Sequence, residues 1–160
     1  MDNHTIARVL RSNHITQPYF GGVFSSDEIP WQDKKNLRCK RFYIFNLDTS
    51  EEKGSHWVCI MLSPFKSKNF YFDSYGFPPI YVEFEKFMDH CYKFNSKALQ
   101  HNLSTSCGQW CLYFVYHMCF NFPFHLIHSK FNRGNKLKND YMLNSVVKTC
   151  LLYTSDAADD

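Results

Sequence analysis

The spacing of apolar positions divides the chain into segments of helical and of strand character. Apolar side chains recur at helical spacing in residues 3–11, which predicts an amphipathic helix at the start of the chain. The adjacent pair Gly21 and Gly22 then predicts an interruption, ahead of a loop that contains proline.

Three segments rich in β-branched and aromatic residues predict three consecutive strands, at 42–47, 56–62 and 69–73. A short proline-containing turn separates the last two, so we expect them to pair as an antiparallel hairpin. The start of one strand then meets the end of the other, which places His56 beside Asp73.

Helical spacing returns in residues 82–92, an amphipathic stretch occupies 140–148, and 98–101 is expected to form a short strand. The segment 107–120 is the most apolar of the chain, and its length favours a buried helix over a strand. The three residues before it are all good N-cap residues: Ser104, Thr105 and Ser106.

Composition limits the class of protein. With 160 residues, of which 44% are hydrophobic, the chain can bury one sizeable core, and we expect a single domain. Its 16 Phe and 10 Tyr are typical of a folded protein. No stretch approaches the roughly 20 apolar residues that span a bilayer, and the polar start lacks the apolar run of a signal peptide. We therefore expect an intracellular protein.

The seven cysteines are odd in number, lie in apolar segments and show no CxxC spacing. This pattern favours neither a disulfide framework nor a zinc site, so most are expected to be buried thiols. The formal charge of +3 is mildly basic, with Lys and Arg clustered at 34–41 and 130–138. Such clusters are usually solvated surface, and contact with nucleic acid is the alternative.

The last eleven residues, CLLYTSDAADD, are out of keeping with the rest of the chain. Their sequence matches the translation, in one frame, of the end of a common transposase-based sequencing adapter. We expect residues 1–149 to form the domain and residues 150–160 to be a non-native tail, which is left out of the fold prediction.

Cys107 is the strongest candidate for a reactive thiol. It lies at the start of the apolar helix, where unpaired backbone amides and the helix dipole favour an anion. Gly108 leaves room for an incoming carbonyl group. Taken alone, Cys107 is more simply read as one core cysteine among seven.

His56 and Asp73 supply the partners that a thiol nucleophile needs. His56 begins an apolar strand, so it lies at a strand end that can face a cleft, and imidazole titrates near neutrality. A carboxylate at Asp73 would fix the imidazole tautomer, although a turn-capping Asp is the plainer interpretation. Gln100 could donate to an oxyanion together with the backbone N–H of Cys107. These residues allow a Cys-His-Asp hydrolase but do not establish one.

Three blocks resemble the active-site blocks of the adenovirus endopeptidase (adenain) family and its relatives in Polinton/Maverick elements. They are GSHW at 54–57, YFDSYG at 71–76 and LQHNLSTSCGQWCLYF at 99–114. The order His, acid, Gln, Cys matches, and so do the intervals of 17 residues from His56 to Asp73 and 7 from Gln100 to Cys107. YFGGVFSSDEIP resembles the N-terminal loop of the Polinton-type enzymes and LKNDYMLNSVV their closing helix, so the likeness covers nearly all of 1–149.

The resemblance implies the α+β fold of the adenain and Ulp proteases, in which a central helix carrying the nucleophile packs on a mixed β-sheet. It implies Cys107 as nucleophile, His56 as general base and acid, Asp73 as orienting acid and Gln100 as oxyanion donor, with Trp57 supporting the cleft. Adenovirus enzymes have Glu at the position of Asp73. The shorter Asp side chain of this chain reduces the reach of the acid but keeps its role.

The function implied is a viral maturation cysteine endopeptidase, expected as a monomer in the virion and host nucleus, that cleaves virion precursor polypeptides and has no membrane partner. No metal or organic cofactor is expected. The resemblance leaves DNA and an activating viral peptide open as cofactors. Such a peptide bonds to a cysteine in adenovirus enzymes, but Cys91 does not align cleanly with that position, so we do not transfer peptide activation.

Two other functions stay open. A SUMO- or ubiquitin-like deconjugating protease shares the fold and the catalytic order, but that family usually has Asp directly before the cysteine, where this chain has Ser106. The second is an inactive protease-like module that binds DNA or capsid, and the presence of all four site residues argues against it.

Overall fold

The computed structural model describes residues 1–131 and 134–152, without the side chain of residue 152. The helices are α1 (Asn3–Ser12), α2 (Val82–Phe87), α3 (Cys107–Met118), α4 (Phe124–His128) and α5 (Lys136–Val147). The strands are β1 (Phe20–Ser25), β2 (Arg41–Asn46), β3 (Trp57–Leu62), β4 (Phe70–Phe72) and β5 (Lys93–Phe94). Short 3₁₀ turns occupy Gln17–Tyr19, Trp31–Asn36 and Lys66–Lys68, and a π-helical turn, Lys148–Leu152, ends the described part of the chain.

The strands form one mixed sheet in the order β1-β2-β3-β4-β5. The pairs β2–β3 and β3–β4 are antiparallel, the second of them as predicted from the sequence, whereas β1–β2 and β4–β5 are parallel. Helices α1, α3 and α5 pack on one face of the sheet and α2 on the other. The predicted α+β fold, with a central helix on a mixed sheet, is therefore confirmed.

Strand β3 is buried along its whole length because both faces of the sheet are covered. Its odd-numbered residues, from Trp57 to Met61, face the core beneath α3. Its even-numbered residues, from Val58 to Leu62, face the core beneath α2. A strand covered on both sides reads as a continuous apolar run, which explains the segment HWVCIML.

Helix α3 is apolar on nearly all sides because it lies between the sheet and the other helices. Phe114, in its middle, is fully buried and stacks on Phe72 of β4, with ring centroids 4.6 Å apart. At its end, Lys40 donates to the carbonyl of Met118 at 2.6 Å, where the negative end of the helix dipole favours a cation. These contacts hold the middle of α3 on β4 and its C-terminal end beside Lys40.

Three predictions about local structure are wrong in detail. Gly21 and Gly22 lie inside β1, where a shift of register accommodates them and where a Cβ at Gly21 would meet the Tyr43 ring at 2.5 Å. The helix predicted over 82–92 ends at Phe87, and two residues with positive φ then turn the chain towards β5. Residues 98–101 form no strand, because two consecutive N–H groups there donate to one carbonyl, that of Ser74. The closing helix agrees with the segment LKNDYMLNSVV that carries the resemblance, since α5 spans Lys136–Val147.

Four of the seven cysteines are buried: Cys59, Cys107, Cys111 and Cys119. Among the described residues, no helix has the length and apolarity to cross a membrane. Of the tail that the sequence predicts to be non-native, residues 153–160 lie outside the described residues. Leu151 packs into the core, and the assignment of the tail stays a prediction.

Candidate active site

The hairpin register brings the sequence-predicted residues to one end of the sheet. Cys59 of β3 pairs with Phe72 of β4, so the residue before β3 and the residue after β4 are neighbours. Helix α3 packs on β3 and begins at that same end with Cys107. The structure thus gathers His56, Asp73 and Cys107 from three elements.

Asp73 holds His56 in one orientation. His56 Nε2 lies 2.9 Å from Asp73 Oδ1, and the backbone N–H of Tyr75 donates to the same oxygen at 2.8 Å. The Asp73 side chain is only 4% exposed. Asn95 hydrogen-bonds both the N–H and the carbonyl of the Asp73 backbone, which fixes that residue in turn. The other ring nitrogen of His56, Nδ1, is left for Cys107.

His56 and Cys107 each change the pKa of the other. Burial lowers the pKa of His56, but hydrogen bonds and charges from Asp73 and Cys107 outweigh it and raise the pKa to about 9. Burial raises the pKa of the Cys107 thiol, but His56 and backbone amides outweigh that and bring the pKa below its ordinary value. The pair therefore favours a thiolate beside an imidazolium, the reactive form of a thiol nucleophile.

Backbone groups at the start of α3 add to the stabilisation of the thiolate. Cys107 is the first residue of the helix, and the backbone at Trp57 and Gly108 helps to lower the pKa of its thiol. A Cβ at Gly108 would lie 3.2 Å from Met1 Cβ and 3.5 Å from Trp57 Cδ1, so a larger residue would crowd the wall of the site. Trp57 in turn donates from Nε1 to the carbonyl of Met1 at 3.2 Å.

Gln100 lies beside the site, but its amide is already engaged. It is fully buried, Nε2 donates to the Ser104 carbonyl at 2.8 Å and to the Tyr75 hydroxyl at 3.3 Å, and Oε1 accepts from Ser74 at 2.6 Å. To donate to an oxyanion, Gln100 would have to exchange the longer of these contacts, the one to Tyr75. Its role as oxyanion donor stays a prediction.

Sequence reasoning missed three supporting residues. Tyr75 stacks on the His56 ring with centroids 4.8 Å apart, and it belongs to the block YFDSYG that carries the resemblance. Asn95 and Asp140 come from β5 and α5 and hold Asp73 and the loop before Cys107. Asn95 and Asp140 gave no local signal in the sequence, because each is hydrogen-bonded to a residue more than 20 positions away.

Outside this site, a groove of about 730 Å³ lies at the other end of α3. At 1.5 Å per residue, the length of α3 separates its floor at Met118 from Cys107 by roughly 17 Å. It is lined by exposed aromatic rings and by cations: Phe65, Phe122, Arg38, Lys40, Lys68 and Lys93. None of the described residues that line it is acidic.

Across residues 1–131 and 134–152, no three His, Cys, Asp or Glu side chains come together as metal ligands.

Comparisons with known proteins point to viral proteases. The chain is 32% identical over 120 residues to R355 of Acanthamoeba polyphaga mimivirus, named as a thiol protease, and 30% identical over 133 residues to the protease of Ovine adenovirus D serotype 7 (isolate OAV287). These alignments cover 66% and 73% of this chain but only 39% and 63% of the relatives. No protein-family model matches the chain.

Two solved structures share the fold. The ASFV pS273R protease superposes with a TM-score of 0.59 and 17% identity, over 87% of this chain and 65% of that one. The SUMO protease Ulp1, with its catalytic cysteine oxidised to a sulfonic acid, gives a TM-score of 0.54 and 15% identity, over 93% and 78% of the two chains. The fold is therefore that of the adenain/Ulp-like cysteine proteases.

Proposed function

We propose that this chain, which has the adenain/Ulp-like cysteine protease fold and is similar in sequence to viral proteases, is a cysteine endopeptidase that matures virion precursor proteins. One observation carries the proposal: Cys107, His56 and Asp73 form a series at the N-terminus of a buried helix, in which His56 is hydrogen-bonded to Asp73 at 2.9 Å and lowers the pKa of Cys107. That series matches the requirements for an activated thiol, namely a base, an orienting acid and a field that favours an anion.

In the proposed reaction, the Cys107 thiolate attacks the scissile carbonyl carbon, and the carbonyl oxygen becomes an oxyanion. The backbone N–H of Cys107 and the amide of Gln100 are the proposed donors to that oxyanion. His56 Nδ1–H then protonates the leaving amine as the C–N bond breaks, which leaves a thioester on Cys107. Neutral His56 next takes a proton from water, the hydroxide attacks the thioester, and the acid product and the thiolate are released. Asp73 keeps the Nε2–H pointing at itself in both steps.

The first test of the proposal compares the reactivity of the cysteines. Ordinary thiols react with electrophiles in order of exposure, so the exposed Cys39 and Cys91 should label before Cys107, which is 7% exposed. If the site is activated, a short peptide vinyl sulfone at pH 7 will instead label Cys107 first, as located by mass spectrometry.

The control variants for this test are His56→Ala, which should abolish the preference for Cys107, and His4→Ala, an exposed histidine that should not. A folded protein in which Cys39 and Cys91 label first would refute activation and leave the binding-module interpretation.

A second test separates the proposed activity from deconjugation, the function of the SUMO protease that shares the fold. Cleavage of unfolded viral-type peptides, with no preference for a folded SUMO with a C-terminal extension, supports the endopeptidase. Efficient processing of the folded modifier alone would overturn it in favour of a deconjugase. Cys107→Ala is the blank for both substrates.

We also propose DNA as an activator that binds in the basic groove at the far end of α3. Its support is the clustering of cations and exposed aromatic rings without an acidic neighbour in the described lining, a combination that suits a nucleic-acid strand. Single-stranded DNA should raise peptide cleavage in the unmodified protein and in Lys53→Glu, a charge reversal at an exposed loop residue. The double variant Lys68→Glu/Lys93→Glu should lose the stimulation and keep the basal rate. Equal stimulation of the two variants would refute this site.

A further inference from the structure

Asp140 is a buried carboxylate that the proposed mechanism does not use. It lies on α5, is 8% exposed, and accepts three hydrogen bonds from the segment around Cys107. Oδ1 accepts from the Ser106 hydroxyl at 2.6 Å and from Trp110 Nε1 at 2.9 Å, and Oδ2 accepts from the backbone N–H of His101 at 3.1 Å. Asp140 thus contacts the chain on both sides of the nucleophile.

The contact with Ser106 is unusual for a residue in that position. Ser106 is the N-cap of α3, and a serine there normally accepts from the backbone N–H of the second or third helical residue. Here its side chain makes no capping hydrogen bond. Its one hydroxyl hydrogen goes to Asp140, so the contact of 2.9 Å with the Ser104 hydroxyl is one in which Ser104 donates.

If Ser106 capped the helix, its hydroxyl would accept a hydrogen bond from a backbone N–H that also stabilises the thiolate. Gly108 is the second residue of α3, so its backbone N–H is among the unpaired groups of the first turn, and it helps to lower the pKa of the Cys107 thiol. A capping hydroxyl would compete for the N–H groups of this first turn, because a helix has only a few unpaired N–H groups at its start. Holding Ser106 elsewhere keeps them directed at the sulfur and at the space above it.

We propose that Asp140 is a positioning residue that holds the Ser106 hydroxyl away from the first turn of α3 and so reserves its N–H groups for the Cys107 thiolate and the oxyanion. The inference rests on the proposed function of Cys107 as nucleophile. It explains why a carboxylate is buried where three donors from one segment converge, and it assigns no contact with substrate to Asp140.

A double-mutant cycle tests the competition between Asp140 and the helix for Ser106. Asp140→Ala releases Ser106 to cap the helix, which should raise the pKa of Cys107 by about one. The pH midpoint of Cys107 alkylation by iodoacetamide should then rise by about one pH unit, and kcat for peptide cleavage should fall more than KM rises. Ser106→Ala has no hydroxyl to compete, so it should stay within about threefold of the unmodified protein.

The double variant Asp140→Ala/Ser106→Ala distinguishes this role from a purely structural one. If Asp140 acts by restraining Ser106, the double variant should recover a Cys107 pKa close to that of Ser106→Ala. If Asp140 only stabilises the fold, removing Ser106 brings no recovery, and that result would overturn the proposal. Asn144→Ala, an exposed position on the same helix, is the control and should change neither quantity.

Asp140→Asn keeps the test decisive where Asp140→Ala does not fold. Asparagine keeps the shape and an acceptor for Ser106, but the acceptor is neutral and weaker, and its NH₂ group faces the N–H of His101. The expected change in the Cys107 pKa has the same sign and is smaller, and Ser106→Ala should cancel it. A pKa change that persists in Asp140→Asn/Ser106→Ala contradicts the proposal. Failure of the proposed function would look different, because Cys107 would then be no more reactive in the unmodified protein than in His56→Ala.

Discussion

Replacing Asp73 with asparagine removes one negative charge from the site while it leaves the hydrogen-bond geometry possible. Both donors, His56 Nε2 and the backbone N–H of Tyr75, meet the same oxygen of Asp73. The amide oxygen of an asparagine can accept both of them, with its NH₂ group in the place of the second oxygen. The variant therefore separates the charge of Asp73 from its role as acceptor.

The magnitude follows from the pKa of His56. That pKa is about 9, against an ordinary value of 6.5, in spite of burial that opposes the charged form. The difference corresponds to about 3 kcal/mol in favour of the imidazolium, shared between Asp73 and Cys107. An adjacent opposite charge typically accounts for roughly 1–3 pKa units, so we expect Asp73→Asn to lower the His56 pKa by about 1–2. The imidazolium then loses its proton at a lower pH, which narrows the pH range over which the ion pair of Cys107 and His56 exists.

The assay is the pH dependence of kcat/KM for peptide cleavage between pH 5 and 10, because protonated His56 is the proposed proton donor to the leaving amine. In the unmodified protein the reactive ion pair should persist until His56 loses its proton near pH 9. In Asp73→Asn this alkaline transition should move down by about 1–2 pH units, and kcat for peptide cleavage should fall by roughly 10- to 100-fold.

Two further variants complete this experiment. Glu51→Gln removes an equal charge from an exposed loop and should leave the profile unchanged. Asp73→Ala loses the acceptor as well as the charge, so its effect should be larger than that of Asp73→Asn. If the alkaline transition of folded Asp73→Asn coincides with that of the unmodified protein, Asp73 does not set the pKa of His56 and the electrostatic reasoning is wrong.

Three other predictions concern stability. Phe114→Ala should cost about 3–5 kcal/mol in urea unfolding, because the side chain is fully buried, whereas Phe122→Ala, half exposed, should cost under about 0.5 kcal/mol, and equal losses would contradict the packing described. Gly76→Ala should cost about 1–3 kcal/mol, since φ is +78° and a Cβ would lie 2.6 Å from the backbone of Lys97; unchanged stability would show that this turn relaxes freely. Relative to His56→Gln, His56 should stabilise the folded protein by at most about 3 kcal/mol, and this stabilisation should be complete below pH 6.5. It should disappear as the pH rises through about 9, since the pKa of His56 is raised in the folded state. A difference in urea midpoint that is the same at pH 6 and pH 9.5 would argue against that linkage.

Local sequence patterns predicted the parts of the site that depend on neighbouring residues. The alternation and length of apolar runs located β2, β3 and β4, and the short turn between β3 and β4 set the hairpin that brings His56 to Asp73. The apolar run after three N-cap residues located α3 and put Cys107 at its first turn. These features repeat over a few residues, so they can be read without knowing the fold.

Other features of the site depend on contacts between distant segments. Asn95 lies 22 positions from Asp73, and Asp140 lies 34 positions from Ser106, and nothing in either local sequence indicates these pairs. The sequence likewise predicts that Ser106 caps α3, but in the structure its hydroxyl donates to Asp140 of α5. Gln100 is predicted as an oxyanion donor, but only the structure shows that its amide already has partners.

The sequence by itself determined which segments are helices or strands at the centre of the fold, and which thiol, imidazole and carboxylate are candidates for chemistry. The tertiary structure decided the parallel pairing of the two edge strands, the early end of α2 and the buried polar groups that orient the site. The physical reason is range: periodicity and capping act over one or two turns of the chain. A buried hydrogen bond depends on which distant segments the core brings together, and the same local pattern is compatible with many such arrangements.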